Sequence, residues 1–205
     1  MDQTLAPLPK QFYQRIEVTD IARELLGMHL ITCIRGTITG GKIVETEAYR
    51  GVTDKASHAY GGRRTARTET LYCRGGVAYV YLCYGIHHLF NIVTGPEGTP
   101  HAVLIRGIEP LFGVDLMLSR RNMTSLKPQI SAGPGALSKA LAIDRQHNGQ
   151  DLEKGDIWIG AASGLAREDE ILSSPRIGVA YAKEDALLPW RFSLKGNPYV
   201  SRPRP

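Results

Sequence analysis

The chain has 205 residues, 42% of them hydrophobic, and its 25 Lys and Arg against 20 Asp and Glu give a formal net charge of +5. This length suits one domain with one core, and no internal repeat is visible. Three cysteines without a C-x-x-C spacing argue against a disulfide framework or a thiolate zinc site, and no apolar run is long enough to cross a membrane. The basic excess suits a polyanionic partner without requiring one.

Secondary-structure signals along the chain predict a mixed α/β (α+β) domain with peripheral helices around a curved, largely antiparallel β-sheet. The chain 1–205 is expected to be this single domain. Runs rich in β-branched and aromatic residues predict strands at 30–34, 37–38, 42–50, 77–84, 89–93, 102–105, 157–159, 177–179 and 192–194. Apolar periodicity and capping signals predict helices at 21–26, 113–121 and 134–142.

Turn residues mark the boundaries of these elements. Asp20 is the expected N-cap of the first helix. Gly40-Gly41 is expected to turn the chain into the strand 42–50. Gly133-Pro134 opens the last helix, since proline is tolerated in a first turn, and the amino end of that helix is a candidate anion site.

The connections and the termini carry further expectations. Residues 51–76 show no periodicity and are predicted to form a long polar loop or a series of turns, which inside a compact domain is usually functional. Residues 84–87 are predicted to form the tip of a hairpin. The termini, about 1–12 and 200–205, are predicted to be loosely ordered.

The strand 42–50 carries two carboxylates and an aromatic ring. Alternation along a strand places Ile43, Glu45, Glu47 and Tyr49 on one face, and the small or apolar residues between them on the other, which can be buried. The two carboxylates are then about 6–7 Å apart. A carboxylate beside a ring can handle a proton next to a stacked base; an edge strand with solvated acids is the alternative.

Tyrosines and arginines are concentrated between Tyr49 and Tyr84, which hold six of the nine tyrosines and five arginines. Rings interleaved with guanidinium groups are typical of proteins that hold unstacked bases beside phosphates, although a tyrosine-rich sheet with a solvated loop gives the same pattern. Tyr79 and Tyr81 share a strand face and can line a pocket. Tyr84 lies at the turn, and apolar tips are used by proteins that bend or flip DNA.

Spaced motifs run in order across most of the chain. They are Ile43-Val44-Glu45-Thr46-Glu47-Ala48-Tyr49, Ser57-His58 with Gly61-Gly62-Arg63, Tyr79-Val80-Tyr81 with Tyr84-Gly85, Asn91-Ile92, Leu104-Ile105-Arg106, Gly133-Pro134 and Arg176-Ile177-Gly178-Val179. With these motifs the chain resembles the alkyladenine (3-methyladenine, or N-methylpurine) DNA glycosylase family, mammalian-type enzymes that also occur in bacteria. Agreement at so many spaced positions is far more specific than a single short motif.

The resemblance implies a fold similar to the carboxy-terminal domain of methionyl-tRNA formyltransferase. It also implies a monofunctional DNA glycosylase of base excision repair, without AP-lyase activity, acting on the 3-methyladenine, 7-methylguanine, hypoxanthine and 1,N6-ethenoadenine class of purines. Such an enzyme flips the damaged purine out of double-stranded DNA and hydrolyses its N-glycosidic bond, leaving an abasic site. We expect no cofactor, metal or membrane partner, a monomer, and a nucleoid-associated location in a bacterial cytoplasm.

The resemblance also implies roles for single residues. Glu47 corresponds to the general base that activates water, and Arg106 lies beside that water and the DNA backbone. The residues implied for the base pocket are Tyr49, His58, Tyr81, Asn91, which screens against the amino group of guanine, and Val179, which helps to place the water. The residues implied for DNA contact are Tyr84 as the wedge, with Ile86, His87, Arg63, Arg64, Arg67 and Gly133.

The sequence departs from the family at three places on the expected DNA side. Thr65-Ala66-Arg67-Thr68 replaces a common Thr-Pro-Arg-Asn, Ala136 replaces a frequent lysine, and His87 stands where an aromatic residue can occur. These departures bear on DNA affinity and lesion range rather than on reaction class.

Other functions remain open at this point. Without the spaced motifs, His58 is interpreted as a hydrogen-bonded loop histidine and Arg106 as a surface or ion-pair arginine. A nucleic-acid-binding module of the same fold without hydrolytic activity is the main alternative, and the intact Glu47 argues against it. A carbohydrate glycosidase using Glu45 and Glu47 is disfavoured because acids on one strand face cannot flank a scissile bond. His87-His88 point apart on a strand and cannot chelate one ion.

Overall fold

One antiparallel sheet with helices at its periphery forms the protein, as seen in a computed structural model that describes residues 6–161 and 166–204. The strands in these residues are β1 His29–Ile34, β2 Thr37–Arg50, β3 Ala78–Cys83, β4 His87–Thr94, β5 His101–Phe112, β6 Ile157–Gly160, β7 Ile171–Ser174 and β8 Arg191–Leu194. The α-helices are α1 Lys10–Tyr13, α2 Val18–Glu24, α3 Val114–Arg120 and α4 Pro134–Ala140. The order β3-β4-β5-β2-β1-β6, with β8 beside β2 and β7 beside β8, confirms the predicted fold class.

The main core lies between the sheet and its helices. α4 packs on β4 and β5, and buries Leu137 and Ala140 there, while α2 packs on β2. Phe90, Ile105 and Phe192 are fully or almost fully buried in the same apolar cluster. Because α4 lies against β5, the backbone N–H of Gly133 donates to the carbonyl of Arg106 at 2.9 Å, which places the amino end of the helix beside that arginine.

Strand β2 is longer than predicted. Gly40 and Gly41 lie inside it rather than in a turn. A Cβ at Gly40 would lie 2.7 Å from the Leu30 carbonyl oxygen, and one at Gly41 would clash with the Glu109 carbonyl. The two glycines allow β1 and β5 to approach β2 closely, so here glycine serves packing and not a turn.

The alternation predicted for β2 is wrong at Ile43. The pairing of β2 with β5 shifts register on both sides of Glu45, as in a β-bulge. Ile43 therefore lies in the same core cluster as Ala48, while Val44 and Glu45 both approach Gly107 on the other face. The bulge aims Glu45, Glu47 and Tyr49 away from the core cluster.

Several other predicted boundaries change. Helix α2 starts at Val18 with Glu17 as N-cap, so Asp20 is not the cap. Residues 177–179 form no strand, β7 was not predicted, and β5 runs well past Arg106. Residues 51–76 contain three short 3₁₀ turns, as expected, and the predicted hairpin is formed by β3 and β4 with its tip at residues 84–86.

Parts of both termini are packed rather than loose. Residues 1–5 and 205 lie outside the described residues. Leu8 is buried, and its N–H donates to the Ile159 carbonyl at 2.9 Å. Val200 and Ser201 are also buried, so the expected loose order is wrong at these positions.

Candidate active site

Glu47 is fully buried in β2, where its carboxylate accepts two hydrogen bonds and forms an ion pair with one arginine. The Tyr49 hydroxyl donates to its Oε2 at 2.7 Å, and the backbone N–H of Ile177 donates to Oε1 at 2.7 Å. Nη1 of Arg106 lies 3.3 Å from Oε1. These contacts fix the carboxylate in one orientation behind the residues that line the open cleft.

Glu45, the second carboxylate, is also fully buried but has different partners. Arg106 and Arg191 donate through Nε to its Oε1 at 3.0 and 2.7 Å. Ser201 donates to it through its backbone N–H at 2.7 Å and its hydroxyl at 2.9 Å. Two carboxylates and two guanidinium groups thus form a buried cluster without formal net charge, which limits the desolvation cost of burial.

An aromatic pocket lies next to Glu47. Tyr49, His58 and Tyr81 line it, and the ring centroids of His58 and Tyr81 are 4.7 Å apart. The Nδ1 atom of His58 forms a 2.9 Å hydrogen bond with the Tyr79 hydroxyl. Burial, with Arg67 and Arg63 nearby, lowers the pKa of His58 to about 4, so the ring is neutral at pH 7. The walls are therefore uncharged rings.

Asn91 and Val179 line different parts of the site. Asn91 lines the aromatic pocket and is buried in β4, where its amide nitrogen donates to the Tyr79 carbonyl at 3.1 Å. Val179 lines the adjoining cleft and precedes a 3₁₀ turn, Ala180–Leu187. Gly178 before it has φ +77, a conformation that favours glycine.

The pocket opens into a wider cleft. Tyr49, His58 and Tyr81 line both, and the rest of the cleft includes Tyr84, His87, Arg106, Gly133 and Ala136. Tyr84 is 90% exposed and Ile86 is 72% exposed, so both project from the tip of the β3–β4 hairpin. The hairpin tip and the amino end of α4 thus line the same cleft, and the His87 ring lies so close to Gly135 that a Cβ there would be 2.8 Å from it.

The three arginines of the polar loop differ in their partners. Arg64 pairs with Glu69 through two hydrogen bonds, at 2.9 and 2.6 Å, and lies over the Tyr72 ring. Arg67 lies over the Tyr81 ring, 5.1 Å from its centroid, and lines the cleft. Arg63 lines a neighbouring groove. Within the described residues, Arg63 and Arg67 have no ion-pair partner.

The substituted position Thr68 holds this loop together. Its hydroxyl accepts a hydrogen bond from the Thr65 N–H at 2.9 Å and donates to the Arg63 carbonyl at 3.2 Å. The hydroxyl therefore connects the two ends of the segment that carries the arginines. Ala66 is exposed.

Several site residues were not predicted. Arg176 forms a buried ion pair with Asp54, donating through Nη2 to Oδ1 at 2.9 Å, and its guanidinium lies 4.8 Å from the Tyr49 ring centroid. Tyr181 donates to the Ala56 carbonyl at 3.1 Å and lines pocket and cleft. Of these, only Arg176 lies in one of the sequence motifs that carry the family resemblance.

The described residues contain neither a candidate metal cluster nor a candidate membrane-spanning helix. Among residues 6–161 and 166–204, no three His, Cys, Asp or Glu side chains converge so that they could hold a metal ion. In the same ranges, no helix has the length and apolar character needed to cross a membrane.

This chain is similar to known proteins of one family. The methylpurine-DNA glycosylase (MPG) family matches residues 11–198. A Chlamydia felis protein named "Putative 3-methyladenine DNA glycosylase" is 48% identical over 189 residues, 91% of this chain and 95% of that protein. Proteins with this name from Bacillus cereus and Chlamydia pneumoniae are 43% and 46% identical, covering 95% and 91% of this chain and 98% and 94% of theirs. This chain therefore belongs to the methylpurine-DNA glycosylase family, hydrolases that act on N-glycosyl bonds.

Proposed function

We propose that this protein removes alkylated or deaminated purines from double-stranded DNA, with Glu47 as the general base that activates the attacking water. The observation that carries the proposal is the position of Glu47, a carboxylate held by two hydrogen bonds and an ion pair directly behind a pocket of uncharged aromatic rings. A carboxylate oxygen accepts two hydrogen bonds, so the one from Tyr49 leaves an acceptor site on Oε2 for water.

Water reaches Glu47 only when the site rearranges. Glu47 has no exposed surface, and the residues in front of it that line the cleft are Tyr49, Arg106 and Ile177. Entry of a base against the Tyr49 ring is the event we expect to open this path. Activation of water would then depend on a bound substrate, so the empty site would not activate water.

The pocket suits purines that carry positive charge. Tyr49 and Tyr81 offer ring faces, and cation–π attraction to such rings contributes about 0.5–2 kcal/mol. His58 is neutral at pH 7 and so does not repel a cationic base. Asn91 is held against the Tyr79 carbonyl on the pocket wall, where it would screen the exocyclic group of the entering purine.

The surroundings of the pocket suit a flipped nucleotide. Tyr84 at the exposed hairpin tip is the proposed wedge, and Ile86 and His87 accompany it toward the duplex. Arg63 and Arg67, free of ion pairs among the described residues, are the proposed phosphate contacts. Gly133, at the amino end of α4 in the same cleft, is a further proposed contact with the DNA backbone.

The proposed product is an intact abasic strand. An enzyme that also cuts the strand uses an amine to form a Schiff base at C1′. Among the described residues, no lysine lines the aromatic pocket or the cleft: Lys42 pairs with Glu109 and Lys55 with Glu184. Water is therefore the proposed nucleophile.

The test is excision from a duplex with one hypoxanthine or 1,N6-ethenoadenine, read by cleavage of abasic sites in hot alkali. Glu47→Gln keeps the shape and removes the proton acceptor, so excision should fall about 10²- to 10⁴-fold while binding to the lesion duplex persists. Glu109→Gln, a change of the same kind at a surface ion pair, is the matched control. A wild-type protein that binds without releasing any base would support the alternative, a binding module without hydrolysis.

A further inference from the structure

The carboxy-terminal segment crosses β5 directly beside Arg106. A Cβ at Gly107 would lie 2.6 Å from the Tyr199 carbonyl oxygen and 3.4 Å from a Glu45 carboxylate oxygen, so only glycine allows the segment to lie this close. Ser201 follows and is 4% exposed. Ser201 lies beyond residues 11–198, which match the family, so the family motifs do not account for it.

Ser201 bonds to both partners of an ion pair that bears on the site. Its backbone N–H and its hydroxyl donate to Glu45 at 2.7 and 2.9 Å, and Nη2 of Arg106 donates to that hydroxyl oxygen at 3.2 Å. Its carbonyl accepts from Arg191 Nη2 at 3.0 Å. All of these groups are buried. Loss of one of these hydrogen bonds would therefore leave a buried polar group without its partner, which costs free energy.

Arg106 stands between two carboxylates that compete for it. Its Nε donates to Glu45 at 3.0 Å, while its Nη1 lies 3.3 Å from Glu47. An arginine fork can pair bidentately with one carboxylate, and pairing of that kind with Glu45 would pull Nη1 away from Glu47. Ser201 opposes it, because its hydroxyl oxygen takes up Nη2 and its backbone N–H occupies one of the two acceptor sites of Glu45 Oε2.

We propose that Ser201 is a positioning residue that holds the Arg106 guanidinium so that its Nη1 edge faces Glu47 and the cleft. The inference rests on the proposed role of Glu47 and on the place beside the attacking water that the family resemblance implies for Arg106. The carboxy-terminal segment therefore takes part in building the active site.

The test combines single-turnover excision at saturating enzyme with lesion-duplex affinity. Ser201→Ala should slow excision about tenfold and change affinity less than about twofold, because the lost contacts orient Arg106 and do not touch DNA. Ser201→Thr retains the hydroxyl and should restore most of the rate. The matched control is Ser138→Ala, which removes a buried hydroxyl without a hydrogen-bond partner among the described residues and should leave the rate unchanged.

A coupling measurement separates positioning from a general loss of packing. Lysine lacks the fork, so in an Arg106→Lys background Ser201→Ala should slow excision no further. A Ser201→Ala enzyme with the wild-type rate per folded molecule, or rate losses that multiply in the double variant, would overturn the inference alone. An Arg106→Lys enzyme at the wild-type rate would instead overturn the proposed role of Arg106, and this inference with it.

Discussion

His58 lies between Tyr79 and Tyr81, where burial and two nearby arginines lower its pKa from 6.5 to about 4. The unfolded chain therefore binds a proton between these two pH values that the folded protein does not. The stability contributed by neutral His58 is complete above pH 6.5 and is lost as the pH falls toward about 4. We expect His58→Gln to flatten the decline in the free energy of unfolding across this window, measured by urea denaturation at a series of pH values.

A second buried histidine, His101, is the control for this experiment, because burial lowers its pKa as well. If the decline in the free energy of unfolding persists in His58→Gln and disappears in His101→Gln, the pH dependence belongs to His101 and the prediction for His58 is wrong. Excision by wild-type protein should stay insensitive to His58 charge near pH 7, since the ring is already neutral there.

Pairs of site residues were harder to predict than single ones. The motifs named Tyr49, His58, Tyr81 and Asn91, and the fold brings these four to one pocket. The Arg176–Asp54 ion pair joins positions 122 residues apart, and both residue types are usually exposed, so nothing in the sequence indicated that they meet behind Tyr49.

The β3–β4 hairpin carries Tyr84 in a conformation that costs energy. Tyr84 and Gly85 both have positive φ, +50 and +74, and the N–H of Ile86 closes the turn on the Cys83 carbonyl at 3.1 Å. This conformation is uncommon for a bulky residue and keeps the ring in solvent. An exposed, strained aromatic at the mouth of a pocket is what a wedge requires.

Tyr84→Ala should therefore weaken binding and slow excision from a fully paired duplex, because the flipped state loses the ring that fills the vacated stack. The loss should be partly relieved when the lesion faces an abasic site, where less unstacking is needed. Leu126→Ala, which truncates an exposed apolar side chain that lines neither the pocket nor the cleft, is the matched control. Equal losses on both substrates would mean that Tyr84 acts in the pocket or in folding.

The long strand β2 shows the limit of reading alternation from one strand. Its pattern placed Ile43 with Glu45 and Glu47, but the bulge at Glu45 moves Ile43 into the core. A bulge depends on the partner strand, here on Gly107 of β5 and the segment that crosses it. Pairing over such sequence distances leaves no local trace, so the side on which Ile43 lies could not be derived from residues 42–50 alone.

Across the whole molecule, three separate segments contribute to the surroundings of the pocket. The loop 51–76, the hairpin tip and the amino end of α4 surround the pocket, and the loop contributes Arg63 and Arg67. Arg64, in the same loop, is paired with Glu69 and lies over Tyr72. The three arginines were grouped by sequence as equal DNA contacts, whereas the structure predicts that Arg64 contributes less.

Salt dependence of binding distinguishes these arginines. Each arginine that neutralises a phosphate releases condensed counterions, so its loss should reduce the slope of log affinity against log salt concentration by about one. We expect that reduction for Arg63→Ala and Arg67→Ala, measured with Glu47→Gln protein so that the lesion duplex stays intact. Arg64→Ala is the matched control and should change the slope less, because Glu69 already compensates its charge. A slope that falls equally for all three variants would mean that Arg64 exchanges Glu69 for a phosphate when DNA binds.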